Sequence, residues 1–178
     1  MTEKTFIAGF GGQGVISLGQ LWVYCGMKEG LEVTFFPFYG AEKRGGVARA
    51  SVIVSTDEIA SPLVTTADSA VVMNLASLPL CEASLKKDGL LLVNSSLVNV
   101  EPSRKDVRVI KVPCNDIAVK LGDVKFANMV MMGALSKATG AVKLGKLEAV
   151  LKTFFPATKH KFIPMNMQAI IEGEKAVG

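Results

Sequence analysis

The stretch KTFIAGFGGQGV, Lys4 to Val15, decides how the rest of the chain is read. Lys4 to Phe10 is apolar and β-branched enough for a short buried strand, and it runs straight into glycines. Apolar residues then recur at helical spacing, at Val15, Leu18, Trp22 and Cys25, until Gly30 supplies a C-terminal stop. Strand, glycine turn and helix in that order make one βα unit. The helix has only a narrow polar stripe, Ser17, Gln20, Tyr24 and Lys28, so it is expected to be covered on more than one side.

Within the turn, Gly9, Gly11 and Gly14 satisfy G-x-G-x-x-G, with Gly12 and Gln13 between the last two. Glycines at these places permit a tight turn and let a phosphate approach the amide end of the helix. Three readings stay open. The glycines only pack helix against sheet; or backbone N–H groups hold a phosphate or diphosphate, with Gln13 as a further donor; or the turn makes a tight backbone contact with another subunit. A nicotinamide site is disfavoured, because the carboxylate that should end the second strand would fall in Phe36 to Tyr39, and Glu32 is too early.

Outward from this unit, Glu32 to Phe38 reads as a second strand, with Pro37 favouring an edge or a bend. Val47 to Val54 alternates, with Ala48, Ala50, Val52 and Val54 on one side and Arg49 and Ser51 on the other, so a strand with one polar face is expected, paired with the strand before it. Ser69 to Met73, Leu90 to Val93 and Val107 to Val112 are further strand-like runs, with a helical segment at Leu78 to Lys87. Beyond Pro113 the spacing predicts helices over Asp116–Leu121, Ala127–Thr139, Leu144–Phe154 and Pro164–Glu174. Phe126 to Leu135, with three methionines and one strongly polar residue, Asn128, reads as a core helix, with a subunit contact as the alternative. The expectation is a single α/β domain over residues 1–178, with a mostly parallel sheet flanked by helices and a Rossmann-like first βα unit.

Composition narrows the class. At 178 residues with 49% hydrophobic side chains, one sizeable core is possible. A mean hydropathy of +0.37 is high for a small domain entirely in water and implies buried interface. Asp57, Asp68, Asn74 and Glu82 interrupt the most apolar third of the chain, excluding an ordinary membrane-spanning helix, and no export signal is visible, so a cytoplasmic protein is expected. Cys25, Cys81 and Cys114 are far apart and read as small buried hydrophobes, with neither a disulfide framework nor a cluster-binding set. The net charge of +4 comes from scattered Lys and Arg, without a nucleic-acid signature, and suits an anionic coenzyme or an acidic partner. The single histidine, His160, lies between basic residues and reads as a surface group, so no residue stands out as a general acid or nucleophile.

A second constellation follows the second strand: Tyr39, Gly40, Ala41, Glu42, Lys43, Arg44, Gly45 and Gly46. It belongs near the carboxyl edge of the sheet, where ligands of open α/β folds collect. Arg44 there suits a bidentate clamp on phosphate or carboxylate, oriented by Glu42; a solvated turn is the plain alternative.

Taken together, GFGGQGV at Gly9, FYGAEKRGG from Phe38 to Gly46, SVIVS at Ser51, Pro62 after Ile59-Ala60-Ser61, NSSL from Asn94 to Leu97 and ANMVMMGA from Ala127 to Ala134 resemble the gamma subunit of 2-oxoacid:ferredoxin oxidoreductases. The resemblance covers nearly the whole chain, and the last two segments lean toward the 2-oxoglutarate or general 2-oxoacid branch, with pyruvate and branched-chain types left open. It implies a complex with alpha, beta and ferredoxin-like delta subunits that makes acyl-CoA and CO2 from a 2-oxoacid and passes electrons to ferredoxin. Thiamine diphosphate, magnesium and iron–sulfur clusters would sit in the partner subunits, with no cofactor held by this chain alone. Coenzyme A would be received at a shared site including Gly9, Gly11, Gly12, Gln13, Gly14, Tyr39, Glu42, Arg44, Gly45, Gly46, Asn94 and Ser95. Ala41 stands where the family often has proline, which loosens that turn. The smaller subunit of indolepyruvate-type enzymes and an autonomous nucleotide-binding oxidoreductase are the alternatives; neither a nucleic acid nor a membrane is an expected partner.

Overall fold

The computed structural model describes residues 1–39 and 46–178. The chain runs β1 (Thr2–Phe10), α1 (Val15–Lys28), β2 (Glu32–Tyr39), β3 (Val47–Ser55), β4 (Ala67–Val72), α2 (Leu78–Ser84), β5 (Leu85–Asn94), β6 (Arg108–Val112), α3 (Cys114–Lys120), α4 (Ala127–Thr139), α5 (Leu147–Phe154) and α6 (Ile163–Lys175). Short 3-10 segments at Leu75–Ser77, Val124–Phe126 and Ala157–Phe162 join some of these.

The strands form a sheet in the order β2-β3-β1-β4-β5-β6. β1, β4, β5 and β6 pair in parallel, while β3 runs antiparallel to both its neighbours, β1 and β2. The expected mostly parallel sheet therefore holds, with β3 as its one reversed strand among the described residues. β2 is an edge strand with Pro37 opposite Ala50, a place where the lost N–H costs least. The reversed strand has a consequence for ligands. It separates β2 from β1, so the end of β2 lies two strands, roughly 10 Å, from the glycine turn, whereas a dinucleotide fold places those strands side by side. The Rossmann likeness ends with the first βα unit.

Helices α1, α3, α4, α5 and α6 gather on one face of the sheet, around a core of Ile7, Val52, Val54, Val71 and Leu92 packed on Leu18, Trp22, Met129, Met132, Leu147 and Ile170. α1 buries Leu18, Leu21, Trp22 and Cys25 and is covered by both sheet and helices, as its narrow polar stripe requires. α4 is buried from Ala127 to Ser136, so its methionines are core. It crosses α6 at backbone contact. A Cβ on Gly133 would lie 2.1 Å from the Ile170 carbonyl oxygen, and one on Gly173 1.9 Å from that of Val130. On the other face, α2 covers β1, β4 and β5 through Leu78 and Cys81 against Ala8, Ala70, Val72, Leu91 and Val93.

Three expectations shift. α2 ends at Ser84 instead of Lys87, because Leu85 turns extended, pairs with Ala67 and buries its side chain under the second face. The tertiary contact outweighs the helical spacing. In β3, Ser51, Ile53 and Ser55 are buried along with the alternating Ala and Val residues, so beyond Arg49 both faces of the strand are covered. His160 is half-buried, its Nε2 3.0 Å from the carbonyl oxygens of Lys152 and Phe155, where it ties down the end of α5.

Candidate functional site

β1 sends its chain into α1 on one face, and β4, its parallel neighbour, continues toward α2 on the other. Between two such strands the connections diverge and leave a crevice at their carboxyl ends, the place where open α/β sheets bind ligands. The glycine turn lies there.

Each glycine has its own reason. A Cβ on Gly9 would meet Gln13 Oε1, Met73 Cβ and Val15 Cγ2, each at 2.8 Å, so Gly9 is where the turn, α1 and β4 close on one another. Gly12 and Gly14 have positive φ, 99° and 75°, conformations that a side chain disfavours. Gly14 also packs beneath Asn128, whose Nδ2 would lie 2.4 Å from an added Cβ. Gly11 donates its N–H to the carbonyl of Gly46 at 3.1 Å, which ties the turn to the residue leading into β3.

Gln13 staples the crevice. Its Oε1 accepts from the N–H of Phe10 at 2.7 Å and from Asn74 Nδ2 at 2.8 Å, while its Nε2 donates to the Met73 carbonyl at 3.2 Å. The Met73 carbonyl also accepts from Asn94 Nδ2 at 3.1 Å. That amide donates again to Asn115 Oδ1 at 2.8 Å, and Asn94 Oδ1 accepts the Cys114 N–H at 3.2 Å. A row of amides, Gln13, Asn74, Asn94 and Asn115, thus runs along the carboxyl ends of β1, β4, β5 and β6. Asn94 has no exposed surface and both its N–H bonds are spent inside the protein, so it holds the floor in place. Ser95 is half-buried and continues the ladder through its N–H to the Val112 carbonyl at 2.9 Å. Asn74, Asn115 and Asn128 were missed in the sequence. For Asn74 and Asn115 the available signal was an amide side chain placed at or just after each parallel strand, in VVMN and VPCN as in LLVN; Asn128, in α4, had no such signal.

Of the second constellation, Tyr39 ends β2 opposite Ala48, and Gly46 meets Gly11 as above. The Tyr39 side chain and Glu42, Arg44 and Gly45 lie outside the described residues, as do Gly40, Ala41 and Lys43.

Two depressions adjoin the turn and share Gly12 and Lys125 in their walls. One, of about 280 Å³, lies over the sheet edge among Gln13, Gly14, Met73 and Asn115; the other, of about 480 Å³, lies on the helix side among Ser17, Asn128, Lys159 and Phe162. α1 has no side-chain cap and no acidic residue in its first turn, so its amide end carries an uncompensated partial positive charge. Among the described residues, the N–H groups of Gly12 and Gly14 have no acceptor within the protein. Unclaimed amides beside a lysine suit an anionic oxygen cluster. None of the three thiols is a ready nucleophile: burial pushes the Cys114 thiol up, as it does that of Cys81, and raises Cys25 to about 12. Among the described residues no three of His, Cys, Asp and Glu come together to hold a metal ion, and no helix is long and apolar enough to cross a membrane.

Residues 4–176 match the pyruvate ferredoxin/flavodoxin oxidoreductase family. The fold superimposes with a TM-score of 0.83 and 25% identity on the keto/oxoacid ferredoxin oxidoreductase gamma subunit from Geobacter sulfurreducens, covering 98% of each chain. The chain is a gamma-subunit-like member of the 2-oxoacid:ferredoxin oxidoreductase family. This gamma-type chain is 37% identical to the 2-oxoglutarate synthase subunit KorC of Methanothermobacter marburgensis over 188 residues, 98% of this chain and all of that one. It is 36% identical over 169 residues to the ketoisovalerate oxidoreductase subunit VorA of Methanothermobacter thermautotrophicus, which covers 94% of the gamma-type chain but 35% of VorA. The gamma-type chain thus spans about a third of the length of that relative and the full length of KorC.

Proposed function

We propose that this chain is the gamma subunit of a 2-oxoacid:ferredoxin oxidoreductase and that its crevice receives coenzyme A. The observation that carries this reading is the turn itself: two backbone amides, unclaimed among the described residues, at the uncapped start of α1, stapled by Gln13 to the neighbouring strand at the divergence point of the sheet. A diphosphate or phosphate fits such amides without help from a side-chain acid or base.

The 2-oxoacid is proposed to be 2-oxoglutarate, giving succinyl-CoA and CO2. The match to KorC extends over the whole of both chains, whereas the similar identity to VorA covers only part of that protein. Decarboxylation and electron transfer belong in this reading to alpha, beta and delta subunits bearing thiamine diphosphate, magnesium and iron–sulfur clusters, with ferredoxin as acceptor and the cytoplasm as the compartment. The chain's own share is positioning. Its backbone amides offset phosphate charge, and Lys125 stands at the rim beside Asp123, 3.6 Å away. Arg44, oriented by Glu42, is the residue proposed to clamp a phosphate or carboxylate of the coenzyme.

The test is steady-state kinetics of the reconstituted complex. Arg44→Ala should raise KM for coenzyme A by tenfold or more, the loss of one charge-assisted contact of roughly 1.5–3 kcal/mol, and leave KM for the 2-oxoacid unchanged. Unchanged values for both would reject the clamp. Purification of the native chain without any partner subunit would reject the assignment as a whole.

A further inference from the structure

The second face of the sheet is only half covered. α2 lies over β1, β4 and β5, while on β2 and at the Arg49 end of β3 the side chains pointing the same way, Phe36, Phe38 and Arg49, line a shallow cavity of about 140 Å³ together with Phe6, the buried Ser51 and the segment Pro62 to Val64. Phe36, Phe38 and Leu63 remain 38%, 39% and 58% exposed, and Phe10, 39% exposed, carries the apolar surface to the glycine turn. The Phe36 and Phe38 rings lie 4.7 Å apart, and the Arg49 guanidinium carbon stands 5.6 Å from the centre of the Phe38 ring. Among the described residues Arg49 Nε is buried without a hydrogen-bond partner and no acidic residue lines the cavity. A buried donor without an acceptor is destabilising, and a supplied carboxylate would satisfy it.

We propose that this aromatic face is where the chain docks on the partner subunit that corresponds to the rest of the VorA chain, and that this partner lays an apolar side chain on Phe36 and Phe38 and a carboxylate against Arg49. The inference rests on the function proposed above. Two observations choose the occupant. In VorA the region matched by this chain is 35% of one polypeptide, so there this domain has a covalently attached neighbour. A second copy of this chain fits poorly, because a two-fold contact would face this patch with the same patch, and among the described residues that line it there is no acid to meet Arg49. Because Phe10 belongs both to this face and to the turn, the docked subunit would form a wall of the coenzyme crevice.

The experiment uses the complex obtained by co-expressing the chain with its partner subunits. Arg49→Glu and Phe38→Ser should each weaken retention of the chain in the complex at least tenfold on dilution and size exclusion, with circular dichroism unchanged. Tyr24→Ser, which alters an exposed aromatic in a separate groove between α1 and α5, should leave retention as it was. Hydroxyl-radical footprinting of the unmodified complex covers the case in which a variant fails to fold: Phe36 and Phe38 should be protected relative to Tyr24. Retention unaffected by both substitutions, loss caused equally by Tyr24→Ser, oxidation of Phe36 and Phe38 on a par with Tyr24, or a homodimer protected at this face would each overturn the proposal. If these failures occur in a complex that assembles and uses coenzyme A, the function stands without this surface. If the unmodified chain joins no partner at all, both readings fall.

Discussion

Replacing Gly14 by alanine separates the two demands made on the glycine turn. The first is conformational: at φ 75° a Cβ costs roughly 1–2 kcal/mol, of which about 0.4–1 kcal/mol returns because alanine restricts the unfolded chain. The second is steric. The new Cβ would lie 2.4 Å from Asn128 Nδ2 and 2.8 Å from its Cγ, and overpacking of this kind costs about 1–3 kcal/mol. Asn128 can relieve it only by giving up its contact to the Gly14 carbonyl, at 3.4 Å a long one and worth little. The sum is a destabilisation of about 3 kcal/mol, which for a chain of this size lowers Tm by about 6–12 °C. Thermal and urea unfolding of Gly14→Ala, Asn128→Ala and the double variant would measure it. Truncating Asn128 removes the clash but not the φ penalty, so the cycle should show a favourable coupling of about 1 kcal/mol. Strictly additive costs, or a neutral Gly14→Ala, would refute the account of why this position is glycine.

Other outcomes follow from the same geometry. Gly173→Ala drives a Cβ to 1.9 Å from the Val130 carbonyl and should cost about 3 kcal/mol or more by urea denaturation. Gly145→Ala, with open space around it and no positive φ, should be neutral or stabilising by up to about 1 kcal/mol. Asn94→Leu strands the Cys114 N–H and removes a donor from the Met73 carbonyl, so a loss of about 2–4 kcal/mol is expected, with faster exchange of the Cys114 amide. Burial raises the folded-state pKa of Glu3 above its ordinary value. Its contribution is therefore most favourable below the unfolded pKa and is lost as pH rises through the folded one. Glu3→Gln should accordingly raise Tm at pH 7 and make less difference at pH 4. With all three cysteines buried and their thiols pushed up by desolvation, a thiol reagent at pH 8 should label the native chain at none of them and the denatured chain at all three.

Much of this protein was legible as local pattern. The strand, turn and helix from Lys4 onward, the edge placement announced by Pro37, and the core helix announced by three methionines over Ala127–Thr139 all depend on periodicity and on what glycine and proline permit, and these act within a few residues. The same is true of Gly9, Gly11, Gly12, Gln13 and Gly14 as candidate site residues. The missing carboxylate at the end of β2 was visible, but its deeper reason was not, because the insertion of β3 between β1 and β2 is a pairing choice between distant segments. The row of amides from Gln13 to Asn115 was hidden for a like cause: each residue is an ordinary polar side chain after a strand until parallel pairing brings four strand ends together. Leu85 leaving the helical pattern and His160 tying down α5 were decided by contacts made only in the folded chain. Sequence determined which backbone conformations were open at each position; tertiary structure decided which of them were filled, because burial and long-range hydrogen bonding contribute more than local preference wherever the two disagree.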